Sequence, residues 1–188
     1  MIISISGTHC TGKSTLVEAL KKDPRLKNAI FLKSSGRELV EKNPQLKINE
    51  DGDFLTQMYI LCRDIKQEIE NGQKPIVICD RCFLDTFIYS TYLYRKGKIK
   101  ESNWKSLLAM STSHPVAFDK HFLLKPSFEL QDEVNRSMNK EYQKDIYTLF
   151  DNYAEHSNKF SDPGDLIFEY LPDDLESRIE HIINYIFK

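Results

Sequence analysis

Gly7-Thr8-His9-Cys10-Thr11-Gly12-Lys13-Ser14 follows a short apolar run, Ile2-Ile3-Ser4-Ile5-Ser6, and precedes a segment in which Leu16, Val17 and Leu20 share one helical face. Its two glycines allow a tight backbone path, partly at positive φ, on which successive N–H groups point inward. The helix that follows adds the positive end of its dipole. A loop of this kind cradles phosphate. A lysine at its end reaches phosphoryl oxygens as a point charge, and the hydroxyl beside it offers an oxygen ligand to a hard cation.

The eight residues fit G-x-x-x-x-G-K-[ST], the Walker A or P-loop pattern, in the strand–loop–helix setting that pattern requires. The expected nucleotide-binding set is Gly7, Thr8, His9, Cys10, Thr11, Gly12, Lys13, Ser14 and Thr15. Lys13 is expected to reach the β- and γ-phosphates of ATP, and Ser14 to take one position on Mg²⁺.

Composition bounds the rest. The chain has 188 residues, 40% of them hydrophobic and 29% charged, which is enough for a core of its own and is read as one domain, 1–188. Lys plus Arg number 26 against 28 Asp plus Glu, so the net charge is −2 and no broadly basic surface for long nucleic acid is indicated. A run of about 18 apolar residues is missing, so no membrane partner is expected. The first residues enter a strand with no basic leader, and a cytoplasmic location is expected. Cys79 and Cys82 have C-x-x-C spacing, but two thiols fall short of the four ligands of a structural zinc site. Two readings of them stay open: a redox-sensitive cluster with Cys10, or small buried residues at strand ends.

Outward from the loop, strand and helix patterns alternate to the end of the chain. Strands are expected over 29–33, 75–79, 120–124 and 166–170, and helices over 54–70, 84–94, 104–110, 131–160 and from 175 onward. In the helix over 54–70, Leu55, Met58, Tyr59, Cys62, Ile65 and Ile69 form an apolar stripe that should pack inward. The unbroken Ile76-Val77-Ile78 run suits a central parallel strand covered on both faces. It ends at Asp80, a carboxylate at a strand edge beside the phosphate loop, where such proteins hold Mg²⁺; capping the next helix is the alternative role. Alternating strands and helices imply an α/β fold of three layers, a five-stranded parallel sheet between helices. The polar stretch after the fourth strand reads as a helical lid over about 126–145, or as a solvated surface helix. Arg95, Lys96, Lys98 and Lys100 form a basic loop that is either a solvated face or a contact for nucleic acid.

Taken together, these motifs resemble the nucleoside and nucleotide kinase branch of the P-loop proteins, thymidylate kinases above all. Met58-Tyr59-Ile60-Leu61-Cys62-Arg63 is similar to the helix on which thymidylate kinases carry an acceptor-facing arginine. Asp80-Arg81-Cys82-Phe83-Leu84-Asp85 looks like their Asp-Arg-Tyr motif and the helix after it. The resemblance implies a metal and acceptor role for Asp80, a phosphate role for Arg81, and a charge-stabilising role for Arg136 at the start of the lid. Arg37, Arg63 and Asp85 become the acceptor-side candidates, with Asp80 and then Asp85 as candidate bases for a hydroxyl acceptor.

The chain departs from the resemblance after its second strand. Ser34-Ser35-Gly36-Arg37-Glu38 stands where thymidylate kinases have Arg-Glu-Pro and deoxynucleoside kinases a glutamate. That segment is similar to a looser group of small kinases, some of which phosphorylate nicotinamide riboside and some of which, in phages, are implied to phosphorylate a hydroxymethylated base in DNA. The implied activity is Mg²⁺-dependent phosphoryl transfer from ATP to a nucleotide or nucleoside, with a deoxynucleoside monophosphate favoured and homodimerisation left open. The alternatives are a kinase of modified DNA and an NTPase without a small acceptor. A GTPase switch is disfavoured, because neither Asn139-Lys140 nor Asn158-Lys159 continues into the Asn-Lys-x-Asp sequence that reads guanine.

Overall fold

The computed structural model describes residues 1–33, 36–113, 116–126, 137–159 and 167–188, and of Arg37 the backbone alone. Five strands form one parallel sheet: β1 (Ile2–Ser6), β2 (Ile30–Leu32), β3 (Val77–Asp80), β4 (Lys120–Leu123) and β5 (Phe168–Tyr170), in the order β2-β3-β1-β4-β5. The helices among the described residues are α1 (Lys13–Lys22), α2 (Gly36–Lys42), α3 (Phe54–Asn71), α4 (Phe83–Arg95), α5 (Glu101–Thr112), α6 (Lys140–Asn158) and α7 (Leu175–Ile186).

Strand β1 is buried along its whole length, and its period of two sends alternate residues to different layers. Ile3 and Ile5 pack with Leu16, Val17, Leu20, Ile182 and Ile183 of α1 and α7. Ile2 belongs to the opposite core, where Leu61, Leu84, Ile88, Leu107 and Phe150 bring in α3, α4, α5 and α6. From β1 the chain goes first to β2 and β3 on one side and later to β4 and β5 on the other. The strand order thus reverses beside β1, which is where open α/β sheets bind ligands at their C-terminal edge.

Two helices differ from the expected pattern. In α3 only part of the predicted stripe packs inward, through Met58 and Ile65. Leu55, Tyr59 and Ile69 are 56%, 54% and 50% exposed, and Cys62 is exposed as well. The face turned to the protein carries Thr56, Gln57, Leu61, Asp64 and Glu68 instead. Partners on α4 explain the inversion: the Phe83 N–H donates to Glu68 Oε1 (3.2 Å), Thr86 Oγ1 to Asp64 Oδ2 (3.4 Å) and Ser90 Oγ to Gln57 Oε1 (3.5 Å). Residues 131–136 and 160 of the predicted long helix lie outside the described residues. Its remaining part, α6, begins where the Asn139 side chain accepts the Tyr142 N–H (3.0 Å). It is not a solvated surface helix, because Tyr142, Ile146, Leu149, Phe150 and Ala154 are buried on one face.

A polar chain crosses the second core. His121 Nδ1 lies 2.7 Å from Ser4 Oγ, Ser4 Oγ lies 3.1 Å from Ser6 Oγ, and Ser6 Oγ donates to Asp85 Oδ2 (2.6 Å). With the Ser6 proton committed to the carboxylate, Ser4 donates to Ser6, and His121 donates from Nδ1 to Ser4. The imidazole is stacked between Phe118 and Phe168, and burial lowers its pKa to about 3. Between pH 6.5 and about 3 the unfolded chain therefore binds a proton at His121 that the folded chain refuses. Stability must fall as pH drops through that window, by up to about 1.4 kcal/mol per unit from this residue. Urea unfolding at pH 7 and pH 4.5 should show the loss, and His121→Phe should show a shallower pH dependence; an equal slope in both proteins would contradict the assignment.

Cys79 and Cys82 are free and buried, and burial pushes both thiols well above the ordinary range, so the thiolates needed for redox exchange are disfavoured. Among the described residues no helix is long and apolar enough to cross a membrane.

Candidate active site

The phosphate loop leaves β1 at Gly7, whose φ is +130°. A Cβ there would stand 2.8 Å from the Leu124 carbonyl oxygen, so both conformation and space call for glycine. Gly12, at φ +83°, supplies the left-handed residue that turns the chain into α1. Lys13 is buried, and its ammonium donates to the Gly7 carbonyl (2.9 Å), the Thr8 carbonyl and Thr11 Oγ1 (3.0 Å). Its positive charge is thereby held inside the curve of the loop.

The loop is supported from two sides. Gln143 of α6 donates to the His9 carbonyl (2.9 Å), and the His9 ring stacks on Tyr142 with centroids 5.4 Å apart. Arg178 of α7, 2% exposed, donates to the Thr11 carbonyl (3.0 Å) and to the Pro172 carbonyl (2.6 Å). Arg178 was not among the residues singled out from the sequence. The available signal was its place one turn after Asp174, in the helix that follows the last strand beside the loop.

Asp80 ends β3 in register with Ile5. Arg81 follows at φ +70°, a left-handed conformation unusual for a side chain of its size and typical of functional sites. Its backbone N–H extends the sheet ladder to the Ile5 carbonyl (3.1 Å). Its guanidinium reaches the Gly7 carbonyl (3.2 Å), Asp85 Oδ1 (3.0 Å) and the Tyr89 hydroxyl (3.3 Å), and lies over the Tyr89 ring. Burial alone would lower the Arg81 pKa, but Tyr89, Asp85 and Asp80 outweigh it and raise it, so the group stays charged. Asp85 is 3% exposed; burial pushes its carboxyl up, while Arg81, Ser6 and Lys13 pull the other way. Asp85 also accepts the Cys82 N–H (3.2 Å). The N-cap of α4 is Cys82, so Asp80 is not spent on capping.

Lys13, Ser14, Asp80, Arg81 and Asp85 all line one cavity of about 790 Å³. Its lining also includes Asp173, Leu175 and Arg178, and Gly36, Ile48, Asn49, Gln57, Ile60, Asp64 and Tyr89. Ser14 and Asp80 both line it, and a hydroxyl and a carboxylate are the oxygen donors that a hard divalent cation takes. Arg63, by contrast, does not line this cavity. It pairs with Glu38, whose carboxyl Lys42 and Arg63 together hold down at about 2. Asp64, the next residue of α3, faces the cavity in its place. The apolar-period reading of α3 hid Gln57 and Asp64, because it assigned the inward face to other residues. The Arg37 side chain and Arg136 lie outside the described residues. In the basic loop, Lys96 pairs with Asp145 (3.0 Å) and Lys98 lies 3.7 Å from Asp51.

Comparison with known proteins places this site in a family. Residues 2–162 match the family described as AAA domain. The chain belongs to that family. No curated protein matches the sequence. Among solved structures, the AAA-domain chain is similar to deoxyadenosine kinase from M. mycoides with products dCMP and dCDP bound, at 20% identity and a TM-score of 0.72 over 99% of this chain and 98% of that one. It is similar to thymidylate kinase from Ehrlichia chaffeensis at 19% identity and a TM-score of 0.65, over 99% and 98%. NadR protein in complex with NR is similar at 17% identity and a TM-score of 0.74; this chain spans 51% of that one. These likenesses show that the chain shares the fold of P-loop nucleoside and nucleotide kinases: a five-stranded parallel sheet between helices.

Proposed function

We propose that this AAA-domain protein transfers the γ-phosphoryl group of ATP, with Mg²⁺, to a nucleoside or a nucleoside monophosphate. The observation that carries the reading is that one cavity is lined both by the phosphate loop and by residues of α3 and α4. A nucleotide-hydrolysing switch needs the loop and a water, whereas this cavity has room for an acceptor beyond the loop.

Phosphoryl transfer asks for positioning and charge neutralisation more than covalent chemistry. Lys13 would move its ammonium from loop carbonyls to the β- and γ-phosphates. Arg81, held by Asp85 and Tyr89 in the wall of this cavity, would face the transferring group. Arg136 and Arg37 are proposed as further cations for the leaving and acceptor sides. Ser14 and Asp80 would hold Mg²⁺, which when bound neutralises phosphate charge. For a hydroxyl acceptor the base is Asp80, because the Asp85 oxygens already accept from Ser6, Cys82 and Arg81. The deoxyadenosine kinase and thymidylate kinase likenesses support nucleoside and nucleotide acceptors alike.

ADP release and product mass with Mg²⁺-ATP, against deoxynucleosides, their monophosphates, nicotinamide riboside and DNA with normal or hydroxymethylated bases, test the proposal. A phosphorylated nucleoside or monophosphate is the expected result. Phosphorylated DNA, or ADP release that no acceptor changes, would replace it with the modified-DNA or NTPase reading.

A further inference from the structure

With its period of two, β1 turns Ser4 and Ser6 to the same side as Ile2, and both serines are fully buried. Hydroxyls in an apolar layer are costly unless each finds a partner. These two form the middle of a line that runs from His121 of β4 to Asp85 of α4. Ser6 alone would suffice to donate to Asp85; the two members behind it do something more. A serine hydroxyl rotates and can donate in several directions. The imidazole, kept neutral by burial, donates from Nδ1 to Ser4, and the Ser4 proton then fills a lone pair of Ser6. The Ser6 proton is thereby directed at Asp85 Oδ2 (2.6 Å). The Cys82 thiol closes the other side of the line, 4.0 Å from Ser6 Oγ and Asp85 Oδ2 and 3.8 Å from His121 Nδ1. The second carboxylate oxygen, Oδ1, takes the Arg81 guanidinium (3.0 Å), which also donates to the Gly7 carbonyl of the phosphate loop (3.2 Å). Arg81 stands at φ +70°, a backbone conformation that persists only where its surroundings over-determine it.

We propose that Ser6, Ser4 and His121 are positioning residues for Arg81: their one-way line of donors fixes the Asp85 carboxylate and, through it, the guanidinium in the cavity wall, an assignment whose kinetic part rests on the phosphotransferase reading above. Arg81 and Asp85 line the cavity, whereas Ser6, Ser4 and His121 do not, so these three act through Asp85 and not on a ligand. A charge displaced by about 1 Å from the reacting group costs on the order of 10²-fold in rate, and that is the scale on which loosening Asp85 should register.

Ser6→Ala leaves Asp85 Oδ2 with the Cys82 N–H (3.2 Å) and should lower kcat roughly ten- to hundredfold, with the KM for ATP changed by less than about threefold. Two His121 variants separate positioning from packing. His121→Phe keeps the stack on Phe118 and Phe168 and loses the donor, while His121→Asn loses the stack and keeps an N–H near the Nδ1 position. Positioning predicts opposite orders: His121→Phe melts higher, and His121→Asn turns over faster by about tenfold. Packing alone predicts the same order in both measurements. Two further readouts need no acceptor. The ¹⁵N spectrum of the wild-type protein should show His121 neutral with its proton on Nδ1, and the Arg81 guanidinium signals should shift in Ser6→Ala and His121→Phe more than in His121→Asn. Wild-type kcat in a folded Ser6→Ala, the same order in the two His121 variants, a His121 proton on Nε2, or unmoved Arg81 signals would each overturn the assignment. Should the variants not fold, the wild-type tautomer decides. Shifted Arg81 signals in a protein that transfers nothing would leave the assignment standing and remove the phosphotransferase reading; transfer with unmoved signals would do the reverse.

Discussion

Lys13→Ala should lower phosphoryl transfer at least roughly 10³-fold while the protein remains folded. The ammonium is the charge that the loop brings to the transferring phosphates, and loss of a single preorganised donor typically costs about 10²–10³ in kcat. Lys13 carries a full charge and is held by three loop oxygens, so its loss belongs at or beyond the upper end of that range. Those same contacts predict a modest stability loss, about 1–2 kcal/mol, because the Gly7 and Thr8 carbonyls lose a buried donor. Lys13→Met keeps the stem and should lose activity equally with a smaller change in melting. Single-turnover transfer and thermal melting on both variants check this; near-wild-type turnover in either would remove Lys13 from the chemistry.

Asp85→Asn should act on stability and activity together. It neutralises the partner of Arg81 and sets an amide where Ser6, Cys82 and Arg81 all donate. Breaking a buried ion pair from one side costs about 3–5 kcal/mol, and the partial exposure of Arg81 brings the expectation to about 2–3 kcal/mol. For a chain of this length that is a fall in melting temperature of roughly 5–10 °C. Arg81 would also lose the contact that aims it, so kcat should drop by about 10²-fold or more with a smaller change in the KM for ATP. An unchanged melting temperature would show that Asp85 does not hold Arg81 in place.

How far the sequence carried the fold follows from these same residues. The phosphate loop was legible because its chemistry demands fixed residue types at fixed spacing, and Gly7 and Gly12 take the left-handed or otherwise restricted conformations that the spacing implies. The parallel sheet was legible from unbroken apolar runs such as Val77-Ile78. The acceptor side was not. Periodicity ranks side chains by hydrophobicity, and α3 turns Gln57, Asp64 and Glu68 inward because α4 supplies an amide and hydroxyls to meet them. No local pattern announces a partner 15 to 33 residues away. Arg63 was drawn to the site by resemblance, whereas its guanidinium pairs with Glu38, 25 residues earlier in the chain. Arg178 went unnoticed for a similar reason: its partner, the Thr11 carbonyl, lies 167 residues back and carries no side-chain signature.

The most direct measurement is the fate of isotopically labelled γ-phosphate from Mg²⁺-ATP in the presence of a nucleoside and nucleoside monophosphate mixture. The account predicts label in an organic phosphate product, dependent on the acceptor and absent with Lys13→Ala. Label recovered only as inorganic phosphate, at a rate that no acceptor alters, would contradict it.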